Sequence, residues 1–160
     1  MRLTALSLTL CLLASTSYAS SLVGKWDCAH VDEGDRDKFH LIGTMDFRKN
    51  GTLRISGTAK GVFPDGSAAQ ISIKSRGKWK LENGKLFEQN YRNTVVTRLI
   101  IDGIDQTRTQ QRKEIQEEIA ASLAEDDPPS DIFFQSRNRF SLNDNGVDAV
   151  CERIGAIPTS

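Results

Sequence analysis

Five Asn-Gly or Asp-Gly dipeptides punctuate the chain, and they restrict its possible folds more than any other feature of the sequence. Asn and Asp tolerate a positive φ and glycine adopts it freely, so such dipeptides fit the tight turns that join antiparallel strands. Short runs of mixed apolar and polar residues lie between them. The pattern predicts a mainly β chain built as an antiparallel meander. The dipeptides are Asn50-Gly51, Asp65-Gly66, Asn83-Gly84, Asp102-Gly103 and Asn145-Gly146.

The segments between these turns define the candidate strands. Their lengths and their apolar content are typical of strands that bury one face. One of them, 85–101, is long enough to bend or to form two strands. The seven candidates are 22–30, 39–48, 52–63, 69–81, 85–101, 131–142 and 147–154.

Strand register follows from the requirement that apolar side chains stay on one face of a sheet. A three-residue loop at 49–51 and a two-residue loop at 145–146 both satisfy this requirement. The second loop turns Cys151 inward. The predicted pairs are Phe47 with Leu53, Met45 with Ile55, Asp46 with Arg54, Leu142 with Ala149, and Phe140 with Cys151.

The loop at 83–84 is left open by the same test. A two-residue loop pairs Leu81 with Leu86, whereas a three-residue loop pairs Trp79 with Phe87. Both choices keep apolar side chains together, so the pattern favours neither.

The first nineteen residues have the anatomy of an export signal. Arg2 precedes an apolar run over 3–14, and small residues follow at Ser17 and Ala19, which places the cleavage before Ser20. The apolar run of about twelve residues is short of the roughly twenty that a membrane span needs. We therefore expect a signal peptide over 1–19, a periplasmic or secreted protein, and no membrane span.

Cleavage would remove Cys11 and leave two cysteines, Cys28 and Cys151, in an oxidising compartment. One disulfide that joins the start of the mature chain to its end is the economical interpretation. The alternative is a pair of free thiols or a metal pair, which would need further soft ligands. The nearest histidine, His30, stands alone.

The charge balance bears on the class of partner. The chain of 160 residues carries 21 lysines and arginines against 21 aspartates and glutamates. Nucleic-acid binding depends on a basic excess, so the composition argues against that class. Charges of both signs are interspersed with aromatic residues, which indicates a folded domain rather than a disordered chain.

The tripeptide Gly24-Lys25-Trp26, directly after the signal, resembles the Gly-x-Trp opening of lipocalin-like barrels. The resemblance implies that residues 20–160 form one antiparallel up-and-down β-barrel of about seven or eight strands. It also implies that Trp26 plugs one end of the barrel and that a late arginine, here Arg153, lies across its ring. Guanidinium stacking on indole contributes about 0.5 to 2 kcal/mol.

The tripeptide recurs as Gly77-Lys78-Trp79, and coincidence is one explanation for the second copy. Two features depart from true lipocalins. The sequence has no Thr-Asp-Tyr segment midway, and the helix predicted below precedes a final hairpin, whereas the lipocalin helix precedes a single last strand. The resemblance is therefore to the loose group of small lipocalin-like exported domains. Such a fold implies either a cup for a small apolar ligand or a barrel surface for a protein partner.

One segment departs from the β pattern. Residues 107–125 lack glycine and proline, and Ile115, Ile119 and Leu123 recur at intervals of four, which predicts one helix with a narrow apolar stripe. The aspartates and prolines of 126–129 end it. We expect the stripe to lie on the barrel or to cover one of its ends; the alternative is a helix that binds a partner.

The search for catalytic chemistry gives no enzyme motif. The sequence contains no Gly-x-Ser-x-Gly, no His-Glu-x-x-His and no phosphate-cradling Gly-x-x-x-x-Gly-Lys. The acidic stretch 32–37, flanked by His30 and His40, lacks the spacing of a calcium loop, so no metal and no cofactor is predicted. Three polar residues on the candidate strand 85–101 are candidates for acid–base catalysis, but no partner acid or base is identifiable for them. They are Glu88, Tyr91 and Arg92.

The predicted function is non-catalytic binding in the cell envelope by a monomeric barrel. The partner would be a small amphipathic molecule held in or at the barrel, or, alternatively, another envelope protein bound as an inhibitor or assembly factor through helix 107–125 and the loops. Aromatic side chains would line the ligand site or simply fill the barrel, and an apolar content of only 38% favours filling. They are Trp26, Phe47, Trp79, Phe87, Phe134 and Phe140.

Overall fold

A computed structural model describes residues 21–31, 40–63, 65–125, 128–144 and 147–155. The predicted signal peptide at 1–19 and the acidic stretch 32–37 lie outside the described residues. The described chain contains nine strands and one helix, α1. Their bounds are β1 Gly24–Val31, β2 His40–Phe47, β3 Thr52–Val62, β4 Ala68–Glu82, β5 Lys85–Ile101, β6 Ile104–Asp105, α1 Gln110–Ser122, β7 Ser130–Ser136, β8 Arg139–Asp144 and β9 Val147–Arg153.

Eight of these strands close into a ring in which every pairing is antiparallel. The order is β4-β3-β2-β1-β9-β8-β7-β5, and β5 returns to β4. The first and last strands, β1 and β9, are neighbours. The ring is joined most weakly between β5 and β7, where two residue pairs carry the contact. The predicted antiparallel barrel with one helix is confirmed, and the two-residue strand β6 is an addition at the end of β5.

The registers predicted from the hairpins are also confirmed. Phe47 lies opposite Leu53, and Phe140 lies opposite Cys151. At the turn that the sequence left open, the two-residue loop is the observed one. Its two central residues, Asn83 and Gly84, have φ values of 52° and 75°, as the type I′ turn requires.

Two predicted boundaries were wrong. The segment 131–142 is not one strand but the hairpin of β7 and β8, which turns at Arg137 and Asn138. No glycine marks this turn, so the chain gives little local signal for it. The helix is shorter at both ends than the predicted 107–125, because Thr109 is the N-cap of α1 and Leu123 is its C-cap.

Strand β5 is continuous but bulged. Its register against β4 shifts three times, and Asn90 and Asn93 within it have φ values of 54° and 55°. An extra residue on one strand of a pair bends that strand and increases its twist. The ring of Tyr91 lies where a Cβ at Gly77 would be, so the glycine on β4 makes room for it. These bulges provide the curvature with which the long β4–β5 hairpin can follow a closed barrel.

The buried apolar side chains form two clusters. The first cluster fills the barrel where β1 and β9 meet, and the second lies between the far part of the β4–β5 hairpin and α1. The stripe residues Ile115 and Ile119 pack against the second cluster, so the helix covers the barrel as predicted. The buried members of the first cluster are Leu22, Trp26, Met45, Phe47, Leu53, Leu86, Ile132, Phe140, Leu142, Ala149 and Cys151. Those of the second are Ile71, Val96 and Leu99.

Candidate functional site

The predicted disulfide is confirmed, and it joins directly opposite residues of β1 and β9. Cys28 and Cys151 are bonded, with their Cα atoms 4.1 Å apart. Cys151 is fully buried, and the partly buried Cys28 packs against the first cluster. The bond therefore closes the barrel covalently between its first and last strands.

Trp26 and Arg153 form the stack that the tripeptide suggested. The guanidinium carbon of Arg153 lies 4.1 Å from the Trp26 ring centroid, and the Trp26 side chain is 0% exposed. The Arg153 guanidinium donates hydrogen bonds to the backbone oxygens of Val23 and Ser21. Burial lowers the pKa of Arg153, with a smaller contribution from the charge of Arg137. One side chain thus ties the entry of the chain to the end of the barrel.

Gly24 has a steric role in this arrangement. Its φ is 139°, and a Cβ at this position would overlap the guanidinium of Arg153. The next residue but one, Trp26, donates a hydrogen bond of 2.7 Å from Nε1 to the Leu22 carbonyl. The Gly-x-Trp spacing therefore leaves space for the arginine over the indole ring.

Five of the six candidate aromatic residues lie together. Trp26 meets Phe140 at a centroid distance of 4.6 Å, Phe47 meets Trp79 at 5.4 Å, and Phe134 meets Phe140 at 5.8 Å. Trp26, Phe47 and Phe140 are at most 1% exposed. In this structure the rings cover one another.

The sixth residue, Phe87, lies elsewhere. Leu86, before it on β5, belongs to the first cluster, so Phe87 points to the other face of the sheet. There the Lys80 amino group lies 4.5 Å from its ring centroid. The structure does not bring Phe87 together with the other aromatic residues.

The second tripeptide has the same orientation as the first. Trp79 packs against Phe47 and donates a hydrogen bond of 3.0 Å from Nε1 to the Arg48 carbonyl. Because side chains alternate along a strand, Lys78 points to the face opposite Trp79, just as Lys25 points away from Trp26. Both copies place an indole in the core and an amine on the outer face.

The outer face of β1 to β5 carries a polar cleft that could not be identified from the sequence. Its volume is about 440 Å³. One row of directly opposite residues crosses it in the order Lys25, Asp46, Arg54 and Arg76. We call it the basic cleft; it is lined by Lys25, Thr44, Asp46, Arg48, Arg54, Ile55, Ser56, Lys74, Ser75, Arg76 and Asn93.

The cleft is strongly unbalanced in charge, with five cationic side chains and one carboxylate in its lining. The carboxylate of Asp46 accepts a hydrogen bond of 3.1 Å from Arg48 Nε, which satisfies one cation. In the part of the chain that the structure describes, no carboxylate lies within ion-pair distance of the other four. The short side chains Thr44 and Ser56 lie opposite each other in the row beside them. The result is a depression bordered by long cationic residues.

The three polar residues considered for acid–base chemistry lie on β5. The Tyr91 hydroxyl donates a hydrogen bond to the Glu88 carboxylate, and Arg92 lies opposite Arg76 of β4. The side chains of His30 and His40 lie outside the described residues. Among the residues described, no group of three His, Cys, Asp or Glu side chains has a metal-binding arrangement.

No protein-family model matches this chain, and no curated protein has a significantly similar sequence. Among the described residues, no helix has the length and apolar character needed to cross a membrane.

Proposed function

We propose that this chain is a non-catalytic binding protein of the cell envelope, and that it takes a small amphipathic ligand at the outer surface of its barrel. The signal-like segment 1–19 and the disulfide between Cys28 and Cys151 support export. The lipocalin-like opening at Gly24 supports a binding role by resemblance.

The observation that carries the proposal is the basic cleft. Its volume of about 440 Å³ falls within the range of about 300 to 1,000 Å³ typical of ligand sites. The lysines and arginines of the lining present apolar stems below their charged ends. A ligand with an anionic end and a short apolar part matches this combination.

The placement of the ligand on the outer face follows from the contrast with the aromatic residues. Trp26, Phe47 and Phe140 pack against one another with almost no exposed surface. A ligand among them would have to separate rings that already stabilise the core. The cleft needs no such rearrangement.

The protein-interaction alternative depends on helix α1 and the loops. The two isoleucines of its stripe already pack against the second cluster, so its apolar side is used within the chain. A partner would have to bind the polar side of α1. The cleft is therefore the better supported site.

The proposal is tested by adding octyl phosphate to the ¹⁵N-labelled exported protein and following amide NMR signals. We expect saturable shifts at Thr44, Ser56 and Lys74, and weaker shifts with the uncharged octyl glucoside. Shifts centred on the indoles of Trp26 and Trp79 would instead place the ligand inside the barrel.

Two matched variants on β3 localise the binding. Ser56 lines the cleft and Lys60 does not, although both are exposed on the same face of the strand. Ser56→Trp should fill the depression and weaken binding about tenfold or more, whereas Lys60→Trp should leave it unchanged. Equal behaviour of the two variants contradicts the proposal.

A further inference from the structure

We infer that the ligand of the basic cleft carries two adjacent phosphate groups at its polar end. This inference rests on the proposed function and deepens it by naming the chemistry that the cleft recognises. It follows from the spacing and the charge of the residues that line the outer face of β1 to β5.

Like charges stand directly opposite one another across three strands. Arg54 of β3 is paired with Arg76 of β4, and Arg76 is paired with Arg92 of β5. Directly opposite like charges destabilise a sheet. The formal charges of the whole chain balance, yet three arginines lie side by side at this point. A bound anion between the guanidinium groups removes the repulsion.

The extent of the cationic surface favours a ligand with more than one anionic group. Neighbouring strands lie about 4.8 Å apart, so Lys25 on β1 and Arg76 on β4 are separated by three strand spacings, or roughly 14 Å. A single anionic group reaches the ends of two neighbouring side chains but does not reach across that span. Two linked groups can engage Arg54 and Arg76 together with Lys25 or Lys74.

Arginine favours phosphate over other anions in this setting. Its planar guanidinium offers parallel N–H donors that match two oxygens of a phosphate, and the resulting hydrogen bonds are charge-assisted. Arg54 and Arg76 are exposed, so their donors can face a ligand from solvent. A diphosphate supplies several acceptor oxygens and more than one negative charge within the cleft.

Asp46 should have the opposite effect on ligand binding to that of the arginines. Its carboxylate lies in the same row, between Lys25 and Arg54, and pairs with Arg48. A negative charge at this place repels an anionic ligand and weakens its binding. Removing the charge should therefore strengthen binding, an effect that unfolding cannot produce.

The experiment measures the affinity of the exported protein for inorganic pyrophosphate, inorganic phosphate and sulfate by calorimetry at low ionic strength. We expect pyrophosphate to bind about tenfold tighter than inorganic phosphate or sulfate and its affinity to fall as salt is added. Arg54→Gln and Arg76→Gln should each weaken pyrophosphate binding about tenfold, because each variant loses charge-assisted hydrogen bonds to the anion. Asp46→Asn should strengthen it about threefold, and Lys60→Gln, the matched control on β3, should have little effect.

The outcomes separate this inference from the proposal on which it rests. If octyl phosphate binds the cleft but pyrophosphate and sulfate bind equally, the diphosphate inference is overturned and the binding function stands. If pyrophosphate binds as expected but octyl phosphate does not, the ligand is a diphosphate without an apolar part, and the amphipathic proposal fails. Unchanged pyrophosphate affinity in Arg54→Gln and Asp46→Asn also overturns the inference.

Discussion

The two apolar clusters of this barrel are stabilised by different means. At the β1–β9 seam, large aromatic rings pack together, a disulfide joins the strands, and Arg153 covers the Trp26 ring. At the far part of the β4–β5 hairpin, three aliphatic residues lie under a helix that has no fully buried residue of its own. Covalent closure and large buried rings resist opening more strongly than a few aliphatic contacts. The helix end should therefore open first.

Side chains of α1 and of the segment before it form hydrogen bonds with backbone groups of β5 that a neighbouring strand would otherwise pair with. Gln116 Oε1 accepts a hydrogen bond of 3.1 Å from the Val96 amide, and Arg112 donates one of 3.3 Å to the Val96 carbonyl. Thr107 accepts a bond of 3.0 Å from the Leu99 amide. An exposed strand edge invites pairing with other chains, and these side chains cover it. At Val96 and Leu99, the edge of β5 is therefore covered by polar side chains instead of by backbone hydrogen bonds to another strand.

The largest effect is expected from removing the covalent closure. The disulfide spans a sequence separation of 123 residues. In the chain-entropy account, a loop of this size contributes about 4 to 5 kcal/mol by restricting the unfolded state. The Cys28→Ala/Cys151→Ala variant should lose roughly this much free energy of unfolding in urea. A loss below about 1 kcal/mol would show that the aromatic cluster alone holds the seam.

A smaller and more local effect is expected at the helix. Ile119→Ala removes a partly buried side chain from the second cluster and should cost about 1 to 2 kcal/mol. Hydrogen exchange should accelerate at the amides of Val96 and Leu99 and stay unchanged at Met45. The exposed neighbour Glu118→Ala is the control and should alter none of these rates. Equal acceleration at both clusters would mean that the barrel opens as one unit.

The fold was largely predictable because its turns are chemically marked. Asn-Gly and Asp-Gly fixed the positions of several hairpins, and apolar alternation then set the register, as at Phe47 and Leu53. The β7–β8 hairpin was missed because its turn at Arg137 and Asn138 carries no glycine. The bulge at Asn90 was missed for a related reason, since an isolated asparagine within a polar strand has no neighbouring turn residue.

The candidate site was predictable only in part. The contact of Trp26 with Arg153 could be inferred because Gly24-Lys25-Trp26 resembles the opening of lipocalin-like barrels, which implies a late arginine across the indole ring. The basic cleft could not, because its residues come from five strands and meet only when several registers are known together. The pair of Asp46 and Arg54 was predicted. Extending that row to Arg76 required the β3–β4 pairing, and the Asp65-Gly66 dipeptide did not define its register from sequence.

The smallest effect is expected from acid at the helix end. Asp105 Oδ1 accepts a hydrogen bond of 2.8 Å from the Thr107 amide, and Thr107 in turn bonds to the Leu99 amide of β5. Hydrogen bonding from Thr107 lowers the pKa of Asp105 below its ordinary value of 3.8, with smaller contributions from the charges of Arg98 and Arg108.

A carboxyl group whose pKa is lowered by folding stabilises the native state above its unfolded pKa, and this contribution is lost as the pH falls through the folded pKa. The stability difference between wild type and Asp105→Asn should therefore be constant above about pH 5 and should shrink below pH 3.8. Urea unfolding between pH 2.5 and 6 measures it, and hydrogen exchange at Leu99 shows whether the loss is local to the helix end. Asp65, whose pKa is lowered by hydrogen bonds from Ser67, is the matched control. Asp65→Asn should change stability over the same pH range without altering Leu99, and a pH-independent difference for Asp105→Asn would contradict the assignment.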